Sequence, residues 1–181
     1  MLQKHMQFCT KRRLLCMPGT LTLVLVVSVF ALAAALIGEY AFGLKPCVLC
    51  LYQRIPFVIN IALAMAGLWL LNRPQLAAAM LALCGLVFFA NAGIALYHTG
   101  VELRWWVSAV EGCAVPGAAT GSTDWIERIM STPGVACTDV QWADPVFGLT
   151  MANYNVVLGV GMGALCFIAL FRASRYAQRA Q

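Results

Sequence analysis

Apolar residues run along this chain in long unbroken stretches separated by short polar interruptions. Four of the stretches are long enough to cross a bilayer as helices, which takes about 20 residues each. They cover residues 20–42, 55–71, 76–97 and 149–171. The pattern predicts an all-α membrane protein, a four-helix transmembrane bundle forming one domain over residues 1–181. Two loops then lie on the same side, 43–54 and 98–148. Only the second is of any size, and it leaves no room for a separate soluble catalytic domain. Within it, Asp124 to Met130 reads as a short helix capped by Asp124, with Glu127 three residues on. Trp125, Ile126, Ile129 and Met130 give that helix an apolar side suited to the membrane surface or to the bundle.

Composition agrees with the pattern. Apolar residues make up 62% of the 181 and charged residues only 10%, whereas soluble domains average roughly 45–50% and 25%. The net charge of +5 becomes informative once divided by segment. Lys4, Lys11, Arg12, Arg13, Arg73, Arg172, Arg175 and Arg179 flank one side of the spans, without an acid among them. All seven acids lie on or near the other side, with Lys45, Arg54, Arg104 and Arg128. Orientation follows Lys and Arg near helix ends, so both termini are expected in the cytoplasm. The same rule accounts for the basic tails without a nucleic-acid partner. A cleaved signal peptide competes for residues 1–33, with Ala31-Leu32-Ala33 as its small-x-small stretch. The apolar run continues through Ala41, longer than the roughly 7–15 residues of a signal core, which favours an uncleaved span.

That division sorts the eight cysteines. Cys9 and Cys16 fall on the cytoplasmic side, and Cys84 and Cys166 lie inside spans, where a thiol serves as a small apolar packing group. Cys47, Cys50, Cys113 and Cys137 remain outside, and an even number in an oxidising compartment implies disulfides. Zinc bound by all four is disfavoured, because structural four-thiolate sites usually pair close cysteines and Cys113 and Cys137 are far apart in the chain. Leu51 after Cys50 excludes covalent haem, which needs histidine there. Glycines around Cys113 (Gly112, Gly117, Gly121) and Pro133-Gly134 before Cys137 predict mobile backbone at both loop thiols.

Pro46 directly precedes the Cys47-Val48-Leu49-Cys50 motif. Proline favours the first helical position, so the second span is expected to start at Pro46, with both cysteines in its first two turns. Free N–H groups and the positive end of the helix dipole stabilise a thiolate there. Arg54, four residues after Cys50, is expected on the same helix face. A guanidinium at the membrane edge is costly unless something uses it: a thiolate, a quinone oxygen, Glu39 across the bundle, or headgroups reached by snorkelling. His98 is expected to end the third span in the same leaflet. Gly159 and Gly163 have the spacing of close helix packing.

Lys45-Pro46-Cys47-Val48-Leu49-Cys50-Leu51-Tyr52-Gln53-Arg54, the four spans, Tyr97-His98-Thr99, and Cys113 with Cys137 in one outer loop resemble the DsbB family of quinone-dependent thiol oxidases. Cys137 with Trp142, then Gly148-Leu149-Thr150-Met151, is similar to the family's pattern after its fourth cysteine. Ala143-Asp144-Pro145 lengthen the Trp-to-Gly spacing, and Tyr154 stands where the family has Trp. The resemblance implies a bacterial inner-membrane enzyme whose periplasmic Cys113–Cys137 disulfide oxidises a thioredoxin-like partner of the DsbA type. Electrons then pass to Cys47 and Cys50, and on to ubiquinone or menaquinone, with Arg54 and His98 at the quinone. Two other readings compete: a non-enzymatic scaffold stapled by two disulfides, and a specialised DsbB-like or vitamin K epoxide reductase-like enzyme with another partner.

The charge division makes a direct prediction. In reduced, intact spheroplasts an impermeant thiol reagent should label the outer loop and spare Cys9 and Cys16 until the membrane is permeabilised; mass spectrometry of labelled peptides reads the outcome, and early labelling of Cys9 contradicts the orientation.

Overall fold

The computed structural model describes residues 17–110, 113 and 135–179. Helix α1 spans Met17–Phe42, α2 Val48–Tyr52, α3 Arg54–Trp69, α4 Pro74–Glu102 and α5 Met151–Arg179; a 3-10 turn, Leu70–Asn72, joins α3 to α4. Four described segments are long and apolar enough to cross a membrane: Met17–Phe42, Val48–Asn72, Pro74–Glu102 and Met151–Arg175. The expected four-span, all-helical architecture is therefore present, and the one strand-like pairing among the described residues is an isolated bridge between Ala143 and Thr150. Cys9, Cys16, the expected helix from Asp124 to Met130, Gly112, Gly117, Gly121 and the Pro133-Gly134 pair lie outside the described residues.

Span ends differ from the hydropathy reading. The second begins at Val48, not residue 55, and is interrupted at Gln53 between α2 and α3. The cause is Pro56: lacking an N–H, it cannot bond the carbonyl four residues back, which belongs to Tyr52. The third span continues to Glu102, so His98 lies one turn inside the helix, not at its end. The first outer connection thus shortens to residues 43–47, and the long one runs from Leu103 to Thr150.

Helix α4 packs most extensively against α5, α1 against α3, and α3 against α4. Leu21, Val24, Phe57, Ala64, Leu81 and Phe88 form the bundle core with Cys84, Cys166 and Ala169. Both cysteines are fully buried there, as expected of small packing groups. The expected close approach at Gly159 is also present. A Cβ there would lie 2.8 Å from the Phe88 carbonyl oxygen and 2.9 Å from Ala92 Cβ.

At the outer end of α4 the chain turns back on itself. The Trp105 N–H donates to the Gly100 carbonyl at 2.8 Å and the Arg104 N–H to that of Val101 at 3.1 Å. This is a Schellman closure, with Arg104 in the left-handed position at φ 58°. It lays Trp106 across Gly100, where an added Cβ would collide with the indole. The indole stacks on Tyr97, with centroids 5.8 Å apart, and donates to the Tyr97 carbonyl at 3.2 Å. The Tyr97 hydroxyl in turn accepts from the Ala109 N–H at 2.9 Å. Residues 103–110 are thereby strapped to the bundle, delivering Val110 and Cys113 to its outer end.

Gly100→Ala must expel the indole. We expect it to cost about 1–3 kcal/mol in thermal unfolding of detergent-solubilised protein, and to speed reduction of the Cys113–Cys137 disulfide by a small dithiol. Trp106→Ala should do the same, and the double substitution should add nothing further. Additive effects in the double variant would show that Gly100 and Trp106 do not act through one contact.

Candidate functional site

The site is built around the start of the second span. Cys47 is not inside the helix: it is the N-cap of α2, in extended conformation, and its sulfur accepts the Cys50 N–H at 3.2 Å. Pro46 therefore stands one residue before the cap, not at the first helical position. The reason is that a cap side chain that accepts an orphan N–H ends the helix more favourably than proline alone. The two sulfurs are 2.7 Å apart. Cys47 is buried and Cys50 half-buried. Hydrogen bonding with Cys50, reinforced by burial, holds the Cys47 thiol above the ordinary thiol range.

Cys113 and Cys137 form a disulfide, with Cα atoms 4.9 Å apart. It is packed into one apolar cluster with Cys47, Leu49 and Val101, against Val48, Cys50, Tyr97 and Val110. Their relative exposures are only 3% and 1%, so the loop sulfurs are shielded by this cluster and not presented on an open loop.

Helix α4 brings His98 into the same place. Its Nε2 is 3.5 Å from Cys47 Sγ and 3.7 Å from Glu102 Oε1. Its Nδ1 faces Gln53 Nε2 at 2.9 Å. The interruption at Gln53 leaves that side chain only 3% exposed. Asn155 Nδ2 donates to Gln53 Oε1 at 2.6 Å, so the amide nitrogen of Gln53 faces the ring. Nδ1 therefore accepts, and the neutral ring carries its proton on Nε2, toward Cys47 and Glu102. Glu102 Oε2 is held by the Thr150 hydroxyl at 2.7 Å. The network ties α3, α4 and α5 together around the sulfurs.

Gln53, where α2 passes into α3, keeps right-handed helical dihedrals at φ −68° and ψ −15°, so the chain stays helical between Cys50 and Arg54. Arg54 Nη1 donates to Glu39 Oε2 at 2.6 Å, with the two side chains 19% and 25% exposed. Of the users considered for that guanidinium, Glu39 is the one it contacts. The structure thus gathers Cys47, Cys50, His98, Cys113 and Cys137, with Arg54 beside them on the Glu39 flank. Sequence reasoning missed Gln53, Glu102, Thr150 and Asn155. Their signals were faint: Gln53 and Asn155 are amides within apolar spans, and Glu102 follows His98 by one helical turn.

A dithiol, a neighbouring disulfide and an imidazole with a defined donor suit thiol–disulfide exchange, in which a thiolate attacks one sulfur and another leaves. The family described as "Disulfide bond formation protein DsbB" matches residues 18–169. A disulfide bond formation protein B of Xanthomonas euvesicatoria pv. vesicatoria (strain 85-10) is 31% identical over 152 residues, covering 80% of this chain and 84% of that protein. One from Shewanella sp. (strain MR-4) is 34% identical over 140 residues, covering 75% and 77%. An uncharacterized protein of Rickettsia prowazekii (strain Madrid E) is 29% identical over 161 residues, covering 83% and 85%. No solved structure matches this chain. With these matches, the chain belongs to the DsbB family of membrane disulfide bond formation proteins.

Proposed function

We propose that this chain is a bacterial inner-membrane thiol oxidase. It accepts electrons from a periplasmic dithiol protein of the DsbA type and delivers them to ubiquinone or menaquinone. The observation that carries this reading is the shared cluster: the Cys113–Cys137 disulfide packs against the Cys47 and Cys50 thiols. A scaffold stapled by disulfides has no need of two free thiols beside one of its staples.

A thiolate of the partner attacks Cys113, forming a mixed disulfide and releasing Cys137 as a thiolate. Cys137 attacks Cys47 of an oxidised Cys47–Cys50 pair, so Cys50 departs as a thiolate. The partner's second thiol then resolves its mixed disulfide and leaves Cys113 reduced; closure of Cys113 onto the Cys47–Cys137 bond restores the loop disulfide and frees Cys47. The result is a loop disulfide beside a dithiol, the arrangement seen here. A membrane quinone supplies the acceptor for the two electrons and two protons that re-form Cys47–Cys50.

This chain's residues support each step locally. His98 Nε2–H faces Cys47 and can hand it a proton as that thiol is released. At Cys50 the first turn of α2 offers unpaired N–H groups to a departing thiolate, and a better-stabilised thiolate leaves faster. The site also fits a lipid-dissolved acceptor. Cys50 is half-buried among exposed Leu51, Tyr52 and Ile55, and Arg54 offers further donors at the membrane edge, able to turn from Glu39 toward a carbonyl oxygen. Burial of the loop sulfurs adds a requirement, since the partner reaches Cys113 only once the packing of Tyr97 and Val110 around it opens.

A DsbA-type partner lacking its resolving cysteine should be trapped as a mixed disulfide on Cys113. Cys50→Ser should abolish quinone reduction without preventing that adduct. Peptide mapping decides: a partner bound mainly to Cys47 or Cys50 in otherwise intact protein refutes the order, and reduced protein that consumes neither quinone while oxidising a dithiol refutes the function.

Arg54→Gln should raise the quinone concentration needed for half-maximal turnover by about tenfold or more, the scale of one lost charged hydrogen bond, with Lys a partial substitute. Because that change also strands Glu39, the Glu39→Gln/Arg54→Gln double variant is the control. Recovery of normal quinone dependence in the double variant would reduce Arg54 to a partner for Glu39.

A further inference from the structure

Cys47 Sγ, Cys50 Sγ and a ring nitrogen of His98 lie within 4.8 Å of one another, a donor set for a metal ion as well as for exchange. It is the one such grouping of His, Cys, Asp or Glu among the described residues. The sequence spacing that disfavours zinc on four cysteines does not bear on it, because the third donor arrives from α4 and not from the loop.

The geometry can be compared with what an ion demands. Zinc binds thiolate sulfur at about 2.3 Å and imidazole nitrogen at about 2.0–2.1 Å, so tetrahedral coordination sets sulfur and nitrogen about 3.5 Å apart and two sulfurs about 3.8 Å apart. Cys47 Sγ and His98 Nε2 are 3.5 Å apart already. The sulfurs are 2.7 Å apart, so Cys50 must swing outward by about 1 Å, and its half-buried position at the start of α2 leaves room for that. Charge favours the same outcome, since two thiolates in a buried site repel and are costly, whereas a divalent cation neutralises both.

We infer that the reduced protein carries a three-ligand site, Cys47, Cys50 and His98 Nε2, for a thiophilic divalent cation such as Zn2+ or Cd2+. The ion holds the pair as thiolates and leaves a fourth position open to water. Binding displaces the two thiol protons and transfers no electrons. The Nε2 proton moves to Nδ1, toward Gln53, whose amide turns its oxygen to the ring while Asn155 follows. Glu102 Oε1 is 3.7 Å from the same nitrogen and remains a neighbour outside the trio. The oxidised pair has no thiolate to offer, so the site exists in one redox state only. It requires neither a quinone nor a partner protein.

The test uses full-length protein carrying Cys9→Ser, Cys16→Ser, Cys113→Ser and Cys137→Ser, reduced, in detergent, with Cd2+ as the probe. Sulfur-to-cadmium charge-transfer absorbance should saturate at one ion per chain with release of about two protons, and the band should be missing after Cys47–Cys50 is oxidised. His98→Ala and His98→Gln should each weaken binding by tenfold or more. Unchanged affinity in either folded variant leaves a bare dithiol chelate and overturns the site, as does failure of the reduced protein to bind. Should both variants misfold, 15N-histidine spectra of the parent decide, since it has only two histidines. The Nε2 resonance of His98 must shift on adding Cd2+ and lose its proton, and a resonance that stays put overturns the proposal. Because no quinone or partner is present, failure of the electron-transfer reading would leave this result standing.

Discussion

The outer end of the bundle depends on one contact, the seating of the Cys113–Cys137 disulfide on the turn that presents Cys47 and Cys50. Disulfide exchange requires sulfurs that meet nearly in line, so a protein performing it must hold two pairs close without welding them into one. Here the closeness comes from apolar packing of Leu49, Val101 and Val110 around the sulfurs. Packing of this kind is strong in sum and weak at each contact.

Around that cluster lies a polar layer, and its members are saturated in a consistent order. Asn155 directs Gln53, Gln53 directs His98, and Thr150 holds Glu102. In a low-dielectric surrounding each link strengthens the next, and an unpaired member would cost about 1–3 kcal/mol. Deeper in the bundle, Ser28, Asn60 and Asn91 are fully buried, with no hydrogen-bond partner for their side chains among the described residues.

Much of this was legible in the chain, and the limits have physical causes. Crossing a bilayer forces runs of apolar residues whatever else a helix does, so the four spans and the packing roles of Cys84, Cys166 and Gly159 could be read directly. Helix ends obey other forces. Cys47 displaced Pro46 as the start of α2 because its sulfur caps an N–H, and Pro56, silent in a hydropathy profile, split the second span at Gln53. At that junction the Gln53 amide meets His98, and Arg54 pairs with Glu39, one of the users its position in the sequence allowed. Gln53, Asn155 and Glu102 acquire meaning only when three helices are side by side, and no local pattern announces that. The mobile backbone expected at the loop thiols did not anticipate their burial, because glycine spacing reports what the chain permits and not what packing does with it.

The two sulfurs of the Cys47–Cys50 pair are chemically alike and structurally opposed. Cys47 is enclosed by His98, its own helix start and the loop disulfide. Cys50 is only half-buried, next to exposed Leu51 and Tyr52. Hydrogen bonding and burial hold the Cys47 thiol above the ordinary range, which makes it a poor spontaneous nucleophile. On the proposed reading the direction of flow follows from burial: the inner sulfur exchanges with the loop, and the outer one with whatever arrives through the membrane. A protein that exchanged these environments, with the same cysteines at the same spacing, would present its nucleophile to the loop and its shielded sulfur to the lipid. It would have lost the asymmetry that lets one pair serve two partners in turn.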